Sequence, residues 1–240
     1  MNSQLHGGAI RNKVLGVIGV IALAAGAWLA SASAAERAVK LPPPAVDPAV
    51  TAQQETAVFA GGCFWGVQAV FQHTKGVLNA VSGYSGGDQK TAKYEIVGSG
   101  RTGHAEAVQV TYDPKQISYG KLLQIFFSVA HDPTQLNYQG PDHGTQYRSA
   151  IFYRDANQKQ VAERYVAQLE AAHAYPGKIV TQLMPLTAFY PAEDYHQDYA
   201  TLHPDSGYIV AFDLPKIGNL KTTLPEVYRE QPALVASSRK

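Results

Sequence analysis

One cysteine, Cys63, serves the whole 240-residue chain. No internal disulfide is open to it, so any fold must be held by a packed core, and the thiol is either inert filling or a chemical group. Composition permits the core: hydrophobic residues make up 45% of the chain, ordinary for a globular protein of one large or two small domains. Formal net charge is +1, with no basic run or stripe, which speaks against a nucleic-acid partner.

The surroundings of Cys63 favour chemistry. Residues 56–60 (TAVFA) read as a short buried strand, Gly61-Gly62 as a tight turn, and residues 66–72 as a helix with Val67, Val70 and Phe71 apolar. Cys63 then lies at a helix N-terminus, where free N–H groups and the helix dipole favour a thiolate. Phe64 and Trp65 follow at once, placed to wall an apolar pocket beside the sulfur.

The N-terminus has the layout of a secretory signal. Arg11 and Lys13 precede an apolar run from Val14 to Ala30, closed by Ala32-Ser33-Ala34. Cleavage is expected between Ala34 and Ala35, with an uncleaved membrane anchor as the lesser alternative. Residues 1–34 are thus read as a signal peptide, and the mature protein as exported and periplasmic. Loss of Arg11 and Lys13 takes the formal charge from +1 to −1. Residues 35–55, with Pro42-Pro43-Pro44 and Pro48, read as an extended linker.

Strands are expected at 77–84, 104–112, 149–153 and 179–184. Helices are expected at 118–130, from Asp155 to about His173, and at 192–202. This alternation implies an α/β or α+β sheet domain over residues 56–212. From Asp213 to Lys240 little periodicity is visible, and this stretch reads as a tail wrapped on the surface.

Glu106 is the second informative residue. On a strand at 104–112 it shares a face with Val108 and Val110. A carboxyl on the core side is costly unless paired or protonated, and burial raises its pKa. A residue that breaks local consistency in this way is a functional candidate.

Four segments carry a resemblance. Gly-Cys-Phe-Trp-Gly at 62–66, Gly-His-Ala-Glu-Ala-Val at 103–108, the run Asp142-His143-Gly144-Thr145-Gln146-Tyr147-Arg148-Ser149, and Ala192-Glu193-Asp194-Tyr195-His196-Gln197 resemble the signature segments of A-type peptide-methionine sulfoxide reductases. The similarity runs from about Thr56 to Tyr208. It implies an α+β fold, a two-layer α/β roll with a ferredoxin-like core. It implies reduction of the S epimer of methionine sulfoxide, free or in proteins, with no bound cofactor and no metal.

Residue by residue, Cys63 matches the nucleophile and Glu106 the acid that protonates the sulfoxide oxygen. Tyr94 and Tyr147 match hydroxyls that hold that oxygen. Phe64 and Trp65 match the aromatics around the S-methyl group, and Asp142 matches a carboxylate that positions substrate or water. The chain departs from many relatives in having Gly207-Tyr208-Ile209 where some carry Gly-Tyr-Cys, and no cysteine beyond it. A sulfenic acid at Cys63 would therefore need an external thiol: a thioredoxin-like protein, a glutaredoxin-like route or a small thiol. A monomer is expected. His104 shares the face of Glu106, where a local structural hydrogen bond is favoured over tuning of the acid, and His196 is a candidate for supporting the pocket.

Overall fold

The computed structural model describes residues 37–235. The signal peptide expected at 1–34 lies outside them. Among the described residues no helix is long and apolar enough to cross a membrane.

A six-stranded mixed sheet organises the domain. Its strands are β1 (Glu55–Ala60), β2 (Val77–Ser85), β3 (Ala105–Tyr112), β6 (Ala150–Tyr153), β7 (Gln182–Pro185) and β8 (Phe189–Pro191). Their order is β7-β6-β1-β3-β2-β8, antiparallel except for β6 with β7. Two further short strands, β4 (Tyr138–Gln139) and β5 (Asp142–His143), form a separate hairpin between β3 and β6.

Alternation along the strands sorts the core into two clusters. Ala57 and Phe59 of β1, with Val108 and Val110 of β3, face the large cluster beneath the helices. Val58, Ala60, Ala105 and Ala107 face a smaller cluster with Ala150 and Phe152. A register shift between Val77 and Asn79 lets Val77, Ala80 and Tyr84 of β2 all reach the large cluster.

The helices are α1 (Phe64–Gln72), α2 (Tyr94–Val97), α3 (Tyr119–Ile125), α4 (Ala156–Ala171), α5 (Tyr199–Leu202) and α6 (Leu214–Thr223). Ser118 caps α3 by accepting from Lys121 N–H, and Asp155 caps α4 by accepting from Gln158 N–H. α3 runs on through a π-helical turn, Phe126–Ala130, so the helix expected at 118–130 is present with a change of pitch. The helix expected at 192–202 is broken. A 3₁₀ turn, Asp194–His196, is separated from α5 by Asp198 at φ +58°.

Two boundaries differ from expectation. Of the stretch expected as a linker, residues 37–54 are extended, but they are fastened to the domain. Val39 N–H donates to Ser128 O, Gln124 Nε2 donates to Leu41 O and Tyr165 OH donates to Pro42 O, while Leu41 itself is buried. Prolines prevent secondary structure there without preventing backbone carbonyls from accepting. The stretch from Asp213 is also no mere tail. A π-helical turn, Ile209–Asp213, leads into α6, which packs on α1. Only the residues beyond α6 wrap the surface, where Arg229 donates to the carbonyls of Gln72 and Val77.

Candidate active site

The site is built where β1 turns into α1. Gly62 takes φ +89°, and a Cβ there would lie 2.5 Å from Cβ of Gln139, so both conformation and space demand glycine. Cys63 then falls at the N-cap of α1, 8% exposed. Phe64 N–H donates to Oε2 of Glu106 at 3.0 Å, and Trp65 N–H is directed to the Cys63 sulfur. The first N–H groups of the helix are therefore divided between the thiol and the carboxyl.

Glu106 sits on β3, 3% exposed, on the large-cluster face beside Val108, as the alternation predicts. Burial pushes its pKa up from 4.5 to about 8, assisted by the negative charges of Asp142 and Asp213 and opposed by the Phe64 N–H. Glu106 is thus a neutral acid at pH 7.

The thiol departs from the expectation of a resting thiolate. Burial first, then Glu106 and Asp213, push it well above an ordinary thiol, outweighing the Trp65 N–H and the Lys216 ammonium. A helix terminus favours an anion by a modest amount, and desolvation in a nearly closed site is larger.

Tyr94 is the first residue of α2, its N–H donating to Oε1 of Glu193 at 3.1 Å. Oε2 of the same carboxylate accepts from buried Tyr84 OH at 2.9 Å. Tyr147 ends the 3₁₀ turn Thr145–Tyr147. Burial raises the pKa of both Tyr94 and Tyr147, and Glu106 and Cys63 add to each shift, so both hydroxyls stay protonated donors near the reacting groups. Next to Tyr147, Arg148 donates to the carbonyls of Gly103 and His104 at 2.9 and 3.0 Å, binding this turn to the start of β3. Asp142, on β5, accepts from Tyr208 OH. The structure thus brings Tyr94, Tyr147 and Asp142 within electrostatic reach of Glu106, which the Phe64 N–H joins to the turn carrying Cys63 and Trp65.

Trp65 is half-buried and stacks on Tyr199 at a centroid distance of 3.9 Å, with Tyr208 edge-on at 5.8 Å. Its Nε1–H donates to Nδ1 of His196 at 3.3 Å. Burial lowers the pKa of His196 and keeps it neutral, and its ring packs 5.1 Å from Phe64 and 4.3 Å from Tyr94. His196 therefore supports the aromatic wall. His104 serves local structure instead, contacting Asp88 O and accepting from Gly87 N–H.

Tyr208, Tyr199, Glu193 and Asp213 belong to the site and were not anticipated from the sequence. Asp213 opens the stretch without visible periodicity, and Tyr208 stands in Gly207-Tyr208-Ile209, which bears on the missing cysteine and gives the tyrosine no role. Glu193 stood within a recognised segment, but only its bonds to Tyr84 and Tyr94 reveal its place. Among the described residues no three His, Cys, Asp or Glu side chains come together as metal ligands.

The family model for "Peptide methionine sulfoxide reductase" matches residues 55–225. The chain belongs to this family. A Mesorhizobium japonicum protein named peptide methionine sulfoxide reductase MsrA 2 is 61% identical over 77% of this chain and 94% of its own length. A Synechocystis protein of the same name is 49% identical over 80% of this chain and 91% of its own length. Among solved structures, reduced Mxr1 from Saccharomyces cerevisiae has a TM-score of 0.60 at 32% identity, covering 70% of this chain and 96% of its own. Methionine sulfoxide reductase A of Corynebacterium diphtheriae has a TM-score of 0.55 at 35% identity, covering 70% and 89%. The chain is an A-type peptide methionine sulfoxide reductase with the family's α+β fold, and the activity is reduction of methionine sulfoxide.

Proposed function

We propose that this reductase works through Cys63 alone, passing its oxidation to an external thiol. The observation that carries the reading is a neutral carboxyl, Glu106, tied by the Phe64 N–H next to the chain's one thiol. A sulfoxide sulfur is a poor electrophile until its oxygen is protonated. Glu106 gives its proton to that oxygen, and the Tyr94 and Tyr147 hydroxyls hold it. Cys63 attacks the protonated sulfoxide's sulfur, forming an S–S bond while the thiol proton returns to Glu106. The hydroxyl then passes from that sulfur to the Cys63 sulfur as the S–S and the substrate S–O bonds break, so methionine leaves carrying one electron pair and Cys63 is left as a sulfenic acid.

Phe64 and Trp65 enclose the methyl group, so chirality at sulfur decides whether the oxygen faces Glu106. The S epimer is the substrate on this reading, free or within oxidised proteins. Asp142 orients the substrate backbone or an ordered water. A first external thiol displaces water from the sulfenic acid to give a mixed disulfide. A second releases Cys63 as a thiol and leaves the reductant as a disulfide. Thioredoxin-like proteins, glutaredoxin-like proteins and small thiols supply this chemistry. The signal-like N-terminus supports repair of oxidised proteins in the periplasm.

The test is an assay of the mature protein on separated S and R methionine sulfoxide with dithiothreitol, thioredoxin and glutathione in turn. Reduction of the S epimer with an added thiol is expected. Equal turnover of both epimers would remove the aromatic wall from the account of specificity.

A further inference from the structure

α6 brings a buried ion pair to the underside of the reactive turn. Lys216 Nζ lies 3.3 Å from Asp213 Oδ1, with the aspartate fully buried and the lysine 8% exposed. Both press on Gly66, where a Cβ would stand 2.1 Å from Asp213 Oδ1 and 2.9 Å from Lys216 Nζ. Gly66 is in the first turn of α1, three residues on from Cys63 at the N-cap. The pair therefore lies within electrostatic reach of the thiol, in a buried region where water screens charge weakly.

Asp213 also declines the role its position offers. It stands at the N-terminus of α6, yet its side chain makes no capping bond and turns inward. Its Oδ2 is buried with no hydrogen-bond partner among the described residues. A half-satisfied buried carboxylate is costly and calls for an explanation. The π-helical turn Ile209–Asp213 that delivers it is a feature frequent at functional sites.

We propose that Asp213 and Lys216 are positioning residues that set the charge state of Cys63 at rest: the buried carboxylate keeps the thiol protonated until sulfoxide arrives, and the ammonium limits that opposition. The inference rests on Cys63 being the reacting thiol. The titratable groups facing the sulfur are Glu106 from β3, a neutral acid at pH 7, and the charged Asp213 and Lys216 from the C-terminal segment, with the hydroxyls of Tyr94, Tyr147 and Tyr208 nearby. Around Lys216 stand Asp213 and, from the loop after the π-helical turn at 126–130, His131, held neutral by burial. Asp213 opposes the thiolate more strongly than Lys216 favours it. The benefit suits a chain with no second cysteine: a neutral thiol resists adventitious oxidation that no internal partner could reverse.

The test is the pH profile of Cys63 alkylation by iodoacetamide in the absence of sulfoxide. Asp213→Asn should alkylate about tenfold faster than wild type at pH 8, and Lys216→Met several-fold slower, in proportion to thiolate fraction. Lys216→Arg should restore the wild-type profile. Loosened packing alone would accelerate both single variants. Shifts in the same direction, or no shift in Asp213→Asn, overturn the proposal. Should either single variant fail to fold, Asp213→Asn/Lys216→Met removes both charges together. It is expected to alkylate faster than wild type, and an equal or slower rate also overturns the proposal. Retained sulfoxide turnover in Cys63→Ser would instead refute the underlying mechanism and leave the alkylation result standing.

Discussion

The backbone N–H of Phe64 donates to Oε2 of Glu106 across 42 residues of sequence, at 3.0 Å. One bond thereby couples the helix that starts at the thiol to the strand that carries the acid. Its donor is backbone, so the start of the helix holds the Glu106 carboxyl beside the nucleophile.

Glu106→Gln should slow formation of the sulfenic acid by a factor on the order of 10²–10⁴, the usual loss for a general acid. The wild-type first step should hold its rate up to about pH 8 and fall above it, as Glu106 loses its proton. The variant should lack that limb. Rapid-quench single turnovers across pH measure both effects, and a wild-type rate in the variant would assign the proton to another group.

The same carboxyl makes a statement about stability. Its folded pKa is raised from 4.5 to about 8, so the native state holds the proton more tightly than the unfolded chain. That contribution is fully present below pH 4.5 and is lost as pH rises through 8. Chemical denaturation of wild type and Glu106→Gln should therefore diverge over this window, with wild type losing stability relative to the variant as pH rises. Parallel profiles would mean that Glu106 is ionised in the native state at pH 7.

Trp65→Ala removes a wall held by Tyr199, Tyr208 and His196. Substrate affinity should fall by about 1–3 kcal/mol, the worth of a small apolar group in a pocket, and the preference between epimers should narrow. Competition kinetics with a racemic peptide sulfoxide reads both. Unaltered affinity and preference would place the indole in structural packing only.

Gly66→Ala should destabilise the protein by about 1–3 kcal/mol through overpacking, because the new methyl meets the buried Asp213 carboxylate. Gly218→Ala, in α6 with nothing within 4 Å of its Cβ, should stabilise by about 0.5–1 kcal/mol through helix propensity. Melting temperatures of the two variants test the pair, and a neutral Gly66→Ala would mean that the pair under α1 yields without cost.

Local rules made much of this site legible. Period-two alternation placed Glu106 on the face of Val108 and Val110, and the strand–Gly-Gly–helix pattern placed Cys63 at the start of α1. What escaped depended on breaks in periodicity or on long-range contact. The π-helical turn at 209–213 departs from the 3.6-residue period, so the segment that ends in Asp213 does not show as an apolar stripe. The docking of residues 39–47 uses backbone carbonyls and the lone carboxylate of Asp47, which accepts from Ser118 and Gly120, and composition does not reveal such bonds. A helix terminus argues for a thiolate at Cys63, whereas burial, a tertiary property that sequence does not display, pushes the thiol up and outweighs it.

One thiol carries the whole oxidative half of the cycle, and the methionine released without reductant counts it. Pre-reduced, desalted protein mixed with excess S-epimer sulfoxide should release one methionine per chain, as one thiol on the oxidation ladder dictates. Intact mass should then show one added oxygen, and a dimedone-type reagent should trap it at Cys63. Two methionines per chain under these conditions would contradict the account, since the described mechanism has no second source of electrons.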